Sequence, residues 1–207
     1  MPGIATPPPQ IVPPAAAPPT AAARTTTEPS PLQPAQTGVW LAIGTICMSF
    51  AALTSAMVVR QGAAQDWRHF PLPHLLYVNT AVLLASSGTL EWSRRRITVA
   101  RLAGLSGVYL TLALGLLFVT GQVIAWRQLA AQGLFLATAP SSAFFYVFTA
   151  LHGLHVLGGL AALLYVLRRL RRIGGPAPGV ALRAAALYWH FMGALWLYLL
   201  VILATRV

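Results

Sequence analysis

From position 39 onward the chain alternates between long apolar stretches and short polar links. Five stretches stand out: Val39–Val59, Leu72–Trp92, Leu102–Ala125, Pro140–Leu167 and Ala184–Thr205. Each has about 20 or more residues, enough at 1.5 Å per residue to cross roughly 30 Å of hydrocarbon. Inside lipid every backbone N–H and C=O needs a partner within the protein, which leaves only helices and closed barrels. The runs are continuous and do not alternate as barrel strands do. The pattern therefore predicts an all-α membrane protein of five transmembrane helices, residues 38–207, with no soluble domain.

Residues 1–37 have a different texture. They hold 11 of the 16 prolines, with Ala and Thr filling most of the rest. Proline removes a backbone donor and disfavours helix, so this segment reads as an extended, disordered cytoplasmic tail. It contains no apolar run of the roughly 7–15 residues that a signal peptide needs.

Composition narrows the class further. The chain of 207 residues is 57% hydrophobic and only 8% charged, with a mean hydropathy of +0.69. Soluble chains carry roughly 25% charged residues, so an ordinary soluble domain is excluded. Cys47 is the single cysteine, which excludes a disulfide scaffold. The net charge of +11 comes from 14 arginines against Glu28, Asp66 and Glu91. Nucleic-acid binding is the alternative that such an excess raises. The arginines, however, lie between the apolar runs, where membrane topology accounts for them. Arg24, Arg94, Arg95, Arg96, Arg101, Arg168, Arg169, Arg171, Arg172 and Arg183 fall on one side, against Arg60, Arg68, Arg127 and Arg206 on the other. The positive-inside rule puts the N-terminus in the cytoplasm and the C-terminus outside.

Small residues recur every four positions: Ala81, Ala85 and Thr89, then Gly107, Thr111 and Gly115, then Gly158 and Ala162. Such stripes let helix backbones approach closely in lipid. They are expected to pack mainly inside this subunit.

Polar groups within the apolar runs are costly unless they face protein or water. Asn79, Glu91, His152, His155 and His190 are the ones singled out. Glu91 precedes Arg94 and Arg95 by three and four residues, the spacing of helical ion pairs. Asn79 is expected to bridge helices. His152 and His155 share one helix face, and paired histidines raise metal or haem ligation. Depth argues against it. His155 lies thirteen residues, roughly 20 Å, before Arg168, while His190 lies six residues, roughly 9 Å, into its own helix. Interhelical hydrogen bonding by neutral imidazoles is the expected role. Neither a phosphate loop, nor a nucleophile beside a base, nor a carboxylate pair is visible. Catalytic, cofactor-binding and metal residues are therefore assigned to none. A small-molecule transporter stays open, although intact spans argue mildly against it.

The segment from Phe144 through His152-Gly153-Leu154-His155-Val156 to Gly159 resembles the subunit III signature of haem-copper terminal oxidases, an aromatic run followed by H-G-x-H-V-x-x-G. Tyr188-Trp189-His190-Phe191-Met192 followed by Trp196 is similar, as are Asn79-Thr80 with Ser86 to Trp92, and Phe50 to Arg60. The resemblance covers about residues 38–205, in order, and fits the five-helix bacterial form. It implies a non-redox structural subunit of a proton-pumping cytochrome c oxidase of aa3/caa3 type in the bacterial plasma membrane. That subunit would flank subunit I in a complex with subunit II and support subunit I stability and proton uptake. It would bind no haem or copper itself, these belonging to partner subunits, and would hold phospholipid in a cleft. Arg169 falls near a family arginine that meets a lipid head group. Two departures matter: Ile46 and Gly193 stand where many relatives carry Glu and Asp. A nitric oxide reductase or quinol oxidase subunit is the nearest alternative.

Overall fold

The computed structural model describes residues 34–63, 65–67, 69–97, 101–171 and 179–207. The proline-rich segment before residue 34, including Arg24 and Glu28, lies outside the described residues, as do Arg68 and Arg172. Five helices follow one another: α1 (Pro34–Ala63), α2 (Leu75–Arg96), α3 (Arg101–Ala131), α4 (Pro140–Arg171) and α5 (Gly179–Arg206). Among the described residues there is no strand, so the fold is all-α as expected.

Helix ends follow local chemistry. Pro71 and Pro73 keep the chain extended before α2, which starts at Leu75. Pro140 opens α4 in the first helical position, where its missing N–H costs nothing. Ser142 Oγ accepts from the Ala139 N–H just ahead of it. Past the end of α3, Gly133 takes a φ of +77°. That left-handed step lets the Leu134 N–H reach the Leu129 carbonyl and close the helix.

Four of these helices, α1 and α3 to α5, are long and apolar enough to cross a membrane. Among the described residues α2 falls short on composition, not on length. Its 22 residues would reach about 33 Å. Asn79, Thr80, Ser86, Ser87, Thr89 and Glu91 lower its apolarity. These polar groups are tolerable because α2 presses along α3 and α5, where most of them turn.

Hydrogen bonds fix the packing directions. Asn79 meets Phe118, and Ser93 meets Gly104, so α2 and α3 are antiparallel. Ser86 meets Trp189 and Thr80 meets Trp196, so α2 and α5 are antiparallel as well. His152 meets Met192 and His155 meets Tyr188, so α4 is antiparallel to α5. Gln61 and Arg206 meet at the shared end of α1 and α5. Accordingly α2 and α4 end on the same face, where Arg94, Arg95, Arg96, Arg168, Arg169 and Arg171 gather. On the opposite face Arg60 pairs with Asp66 at 3.1 Å.

The surface is apolar outward: Leu102, Met48, Leu41, Val59 and Leu154 are all exposed. Helix association in lipid has no hydrophobic drive, and close packing with hydrogen bonds must supply it. α5 carries the centre, with Trp189, Met192, Trp196, Leu199 and Leu203 fully buried.

The small-residue stripes divide differently from expectation. Gly107, Thr111 and Gly115 do face inward. A Cβ at Gly107 would lie 2.7 Å from Ser93 Cβ, and that clearance lets α2 and α3 touch. Ala81 and Ala85 are instead exposed, and only Thr89 of that stripe turns in, to Thr111 at 2.9 Å. On α4 the packing glycine is Gly159, against the Trp189 ring, while Gly158 and Ala162 face outward. Apolar residues line both faces of a membrane helix, so spacing alone does not say which stripe is buried.

Candidate functional site

The polar side chains of the bundle lie where helices meet. Trp189 Nε1 donates to Ser86 Oγ at 3.0 Å, and Trp196 Nε1 donates to Thr80 Oγ1 at 2.9 Å. Both hydroxyls pass their own protons to carbonyls of α2, Leu83 and Leu76. Asn79 Nδ2 donates to the Phe118 carbonyl of α3 at 3.4 Å. Trp126 Nε1 donates to Thr149 Oγ1 across the α3–α4 seam at 3.0 Å.

His152 is fully buried. Its Nε2 lies 3.2 Å from the Met192 carbonyl. A carbonyl only accepts, so Nε2 carries the proton. The ring meets Phe118 edge-on at 5.8 Å and tilts against Trp196 at 5.0 Å. His155 bonds its own helix through Nδ1, to Leu151 O, and its ring faces Phe50 of α1 at 6.0 Å. Its backbone carbonyl accepts from Tyr188 OH of α5. His190 is part-exposed and stands 4.0 Å from Glu91. Glu91 itself is held by Arg94 and Arg95 at 2.9 and 2.8 Å, as the spacing predicts. Arg169 is exposed and touches Tyr165 OH at 3.4 Å.

The expected separation of the histidines by depth does not hold. α5 begins at Gly179, so His190 lies eleven residues, about 17 Å, into it. The His152–Met192 and His155–Tyr188 contacts put all three imidazoles at similar depth. Direction separates them instead: His152 points to the α3–α5 core, His155 to α1 and His190 to Glu91 on α2. Among the described residues no three of His, Cys, Asp and Glu converge in a way that could hold a metal ion.

The family model described as cytochrome c oxidase subunit III matches residues 43–205. The chain belongs to that family. It is 35% identical over 176 residues to a probable cytochrome c oxidase subunit 3 of Mycobacterium tuberculosis, covering 81% of this chain and 84% of that one. A probable subunit 3 of Nocardia farcinica is 33% identical over 167 residues, 78% of this chain and 81% of the relative. A cytochrome c oxidase subunit 3 of Thermostichus vulcanus is 32% identical over 164 residues, 75% and 79% of the two chains. Membership makes this a multi-pass membrane protein that works in a complex with other oxidase subunits.

The matched span includes every histidine of the site and the polar face of α2. The family departures also take their places. Ile46 is buried in the core, and Gly193 backs onto Ser87, where an added Cβ would meet Oγ at 3.5 Å. Among the residues not chosen as candidates from sequence, Trp189, Trp196, Ser86 and Thr80 make two buried side-chain hydrogen bonds between α2 and α5. Their signal was the seven-residue spacing of the indoles opposite the six-residue spacing of the hydroxyls. Gln122 was also missed, although it sits in plain view in an apolar run.

Proposed function

We infer that this chain is the non-redox structural subunit III of a proton-pumping haem-copper oxidase. It lies against subunit I, in a complex with subunit II, and sustains subunit I stability and proton uptake. The observation that carries the reading is the engagement of the buried polar groups. Ser86, Thr80, Asn79 and His152 each join one helix to another, and the three imidazoles diverge. Such a net holds a scaffold in register and offers nothing that converges on a substrate. Ile46 and Gly193 leave those two family positions without a carboxylate, so proton support here works through packing around subunit I.

The topology proposed is N-terminus cytoplasmic and C-terminus outside. It rests on the arginine ends of α2 and α4 sharing one face. The residues ahead of the bundle are proposed to be a cytoplasmic tail. Phospholipid is proposed to sit in the groove of about 370 Å³ among α1, α4 and α5, which Tyr165, Val166 and Tyr188 line. Arg169, beside Tyr165, would meet its head group, a guanidinium suiting phosphate.

The test is to purify the oxidase with and without this chain and follow O2 uptake over many turnovers. Initial O2 reduction should persist without it, while activity decays faster. Immediate and complete loss, with subunit I intact and its haems present, overturns the reading.

A further inference from the structure

Two buried side chains keep polar atoms without a partner. Gln122 is 4% exposed, and among the described residues neither its Nε2 nor its Oε1 has a hydrogen-bond partner. His152 is fully buried, and its Nδ1 has none either. The other ring nitrogen carries the proton toward the Met192 carbonyl. In the neutral ring Nδ1 is therefore a bare acceptor. Buried polar atoms left unpaired are costly, and native proteins answer nearly all of them with protein groups or ordered water.

The two residues approach one point from neighbouring helices. Phe118, one turn before Gln122 on α3, puts its ring 5.8 Å from the His152 ring. Trp126, one turn after Gln122, donates to Thr149, three residues before His152 on α4. Gln122 thus lies between two α3 residues whose α4 contacts are His152 and the turn just ahead of it. A helical side chain slants back toward its N-terminus, so the amide reaches from Gln122 toward the level of Phe118 and His152. Both amide atoms are sealed from the surface and turn into the bundle. The polar side chains around them are already engaged. Thr149 accepts from Trp126 and donates to the Phe145 carbonyl, Asn79 donates to the Phe118 carbonyl, and Trp196 donates to Thr80.

What remains is one donor group, the Gln122 amide nitrogen, and two acceptors, Gln122 Oε1 and His152 Nδ1. A direct bond from amide to imidazole would pair two of the three and strand Oε1. Water has the matching set: a lone pair that accepts and two O–H groups that donate. We propose that a single buried water molecule is bound at this α3–α4 junction, accepting from Gln122 Nε2 and donating to Gln122 Oε1 and His152 Nδ1. One water can engage both amide atoms because the N–H and C=O lie side by side on one edge of the group. Three bonds is the usual number for an internal water. The bound water joins α3 to α4 and, through the His152–Met192 bond, to α5. It also holds His152 in the tautomer that serves Met192, because a proton on Nδ1 would face the water's own O–H. The site lies wholly inside this chain and does not depend on the role proposed for the subunit.

The test is a density map of the assembled oxidase at a resolution that shows ordered water. One peak should lie within about 3.2 Å of the Gln122 amide and of His152 Nδ1 together. It should vanish in Gln122→Met, which keeps the length of the side chain but neither donor nor acceptor. Thermal unfolding of the same complex supplies a second measurement. Gln122→Met leaves His152 Nδ1 alone, while His152→Gln keeps an amide N–H for Met192 and leaves Gln122 alone. Each should lower the melting point, and the double variant should lose less than the sum of the two, as groups that share a partner do. If the variants fail to assemble, the parental map decides by itself. A direct Gln122–His152 contact with no peak, a peak that survives Gln122→Met, or losses that simply add would each overturn the water site.

Discussion

Gly115→Ala isolates how closely α3 and α4 close around the Trp189 indole. An added Cβ would lie 2.7 Å from Leu160 Cδ2 and 2.7 Å from Trp189 Cη2. Ordinary carbon contacts sit at about 3.5–4.0 Å, so each atom would have to retreat by roughly 1 Å. The Leu160 tip can rotate away. The indole cannot: it is fully buried, Nε1 is held by Ser86 at 3.0 Å, and Gly159 backs its opposite edge. Overpacking of this kind costs about 1–3 kcal/mol. The gain of an alanine over a glycine in a helix, about 1 kcal/mol, works the other way. Gly153→Ala on α4 supplies the control, since its Cβ meets nothing within 4 Å and it keeps the propensity gain. The difference between the two variants is then the steric term alone, about 1–3 kcal/mol. For a chain of this size that is a melting-point gap of roughly 2–10 °C, read by thermal unfolding of the complex in one detergent. Trp189→Phe removes Cη2 and should relieve the clash, so the double variant should show a favourable coupling of about 1 kcal/mol or more. If Gly115→Ala and Gly153→Ala melt together, or Trp189→Phe leaves the cost of Gly115→Ala unchanged, the wedge argument is wrong.

Other outcomes follow from the same geometry. Ser86→Ala with Thr80→Val leaves two buried indole N–H groups without acceptors and should destabilise the bundle by about 1–3 kcal/mol per site, measured by thermal unfolding. A parental melting point would show that the indoles have other partners. Glu91→Gln and His190→Ala should each cost under about 1 kcal/mol, because Glu91 is part-exposed at a helix end, its arginine partners are exposed, and salt screens the pairs. A loss several times larger at low and high salt alike would mean that the Glu91 cluster is a structural clasp. For topology, single cysteines at Gln132 and Arg171, in a Cys47→Ser background, should label from outside and only after permeabilisation, respectively; the reverse pattern overturns N-in. A tag on Val207 is a poor reporter, since Val207 is buried and its carbonyl accepts from the Phe70 N–H.

The helices were legible in the sequence because lipid demands long apolar runs. Their ends were not, because a helix continues past the hydrocarbon into polar residues that no hydropathy window counts. Thus α4 extends through Arg168 and Arg169 to Arg171, and α3 continues past Ala125 to Ala131. The early start of α5 at Gly179 is what undid the depth argument for His190. Facing was harder still. Outside a membrane, an exposed stripe is polar and betrays the fold. Here lipid-facing and core-facing positions are both apolar, so Ala81 and Ala85 read like Gly107 and Gly115 yet point the other way. The Glu91 ion pairs were legible because they are local, set by three- and four-residue spacing on one helix. The Trp189–Ser86 bond spans 103 residues of sequence and needed the fold to be seen.

That bond and its neighbour explain why α5 has a single position against α2. Trp189 and Trp196 are seven residues apart, two turns on one face, and Ser86 and Thr80 are six apart on the antiparallel helix. The two pairs are therefore met together or lost together. A slide of one turn moves an indole about 5.4 Å, beyond the reach of a hydrogen bond at 3.5 Å. Membrane hydrogen bonds are individually modest, about 0.6 kcal/mol on average, because displaced polar groups find other partners. A slip toward Leu83 or Leu76 meets apolar side chains, and Thr89, the hydroxyl one turn beyond Ser86, is already engaged with the Ser86 carbonyl and Thr111. Each slip would also drive the Trp189 ring out of the recess formed by Gly115 and Gly159 and into the side chains flanking it. Specificity of register thus comes from the rejected alternatives as much as from the bonds made. It is this fixed register that holds His152 on the Met192 carbonyl and gives the bundle one defined outer surface to present to its partners.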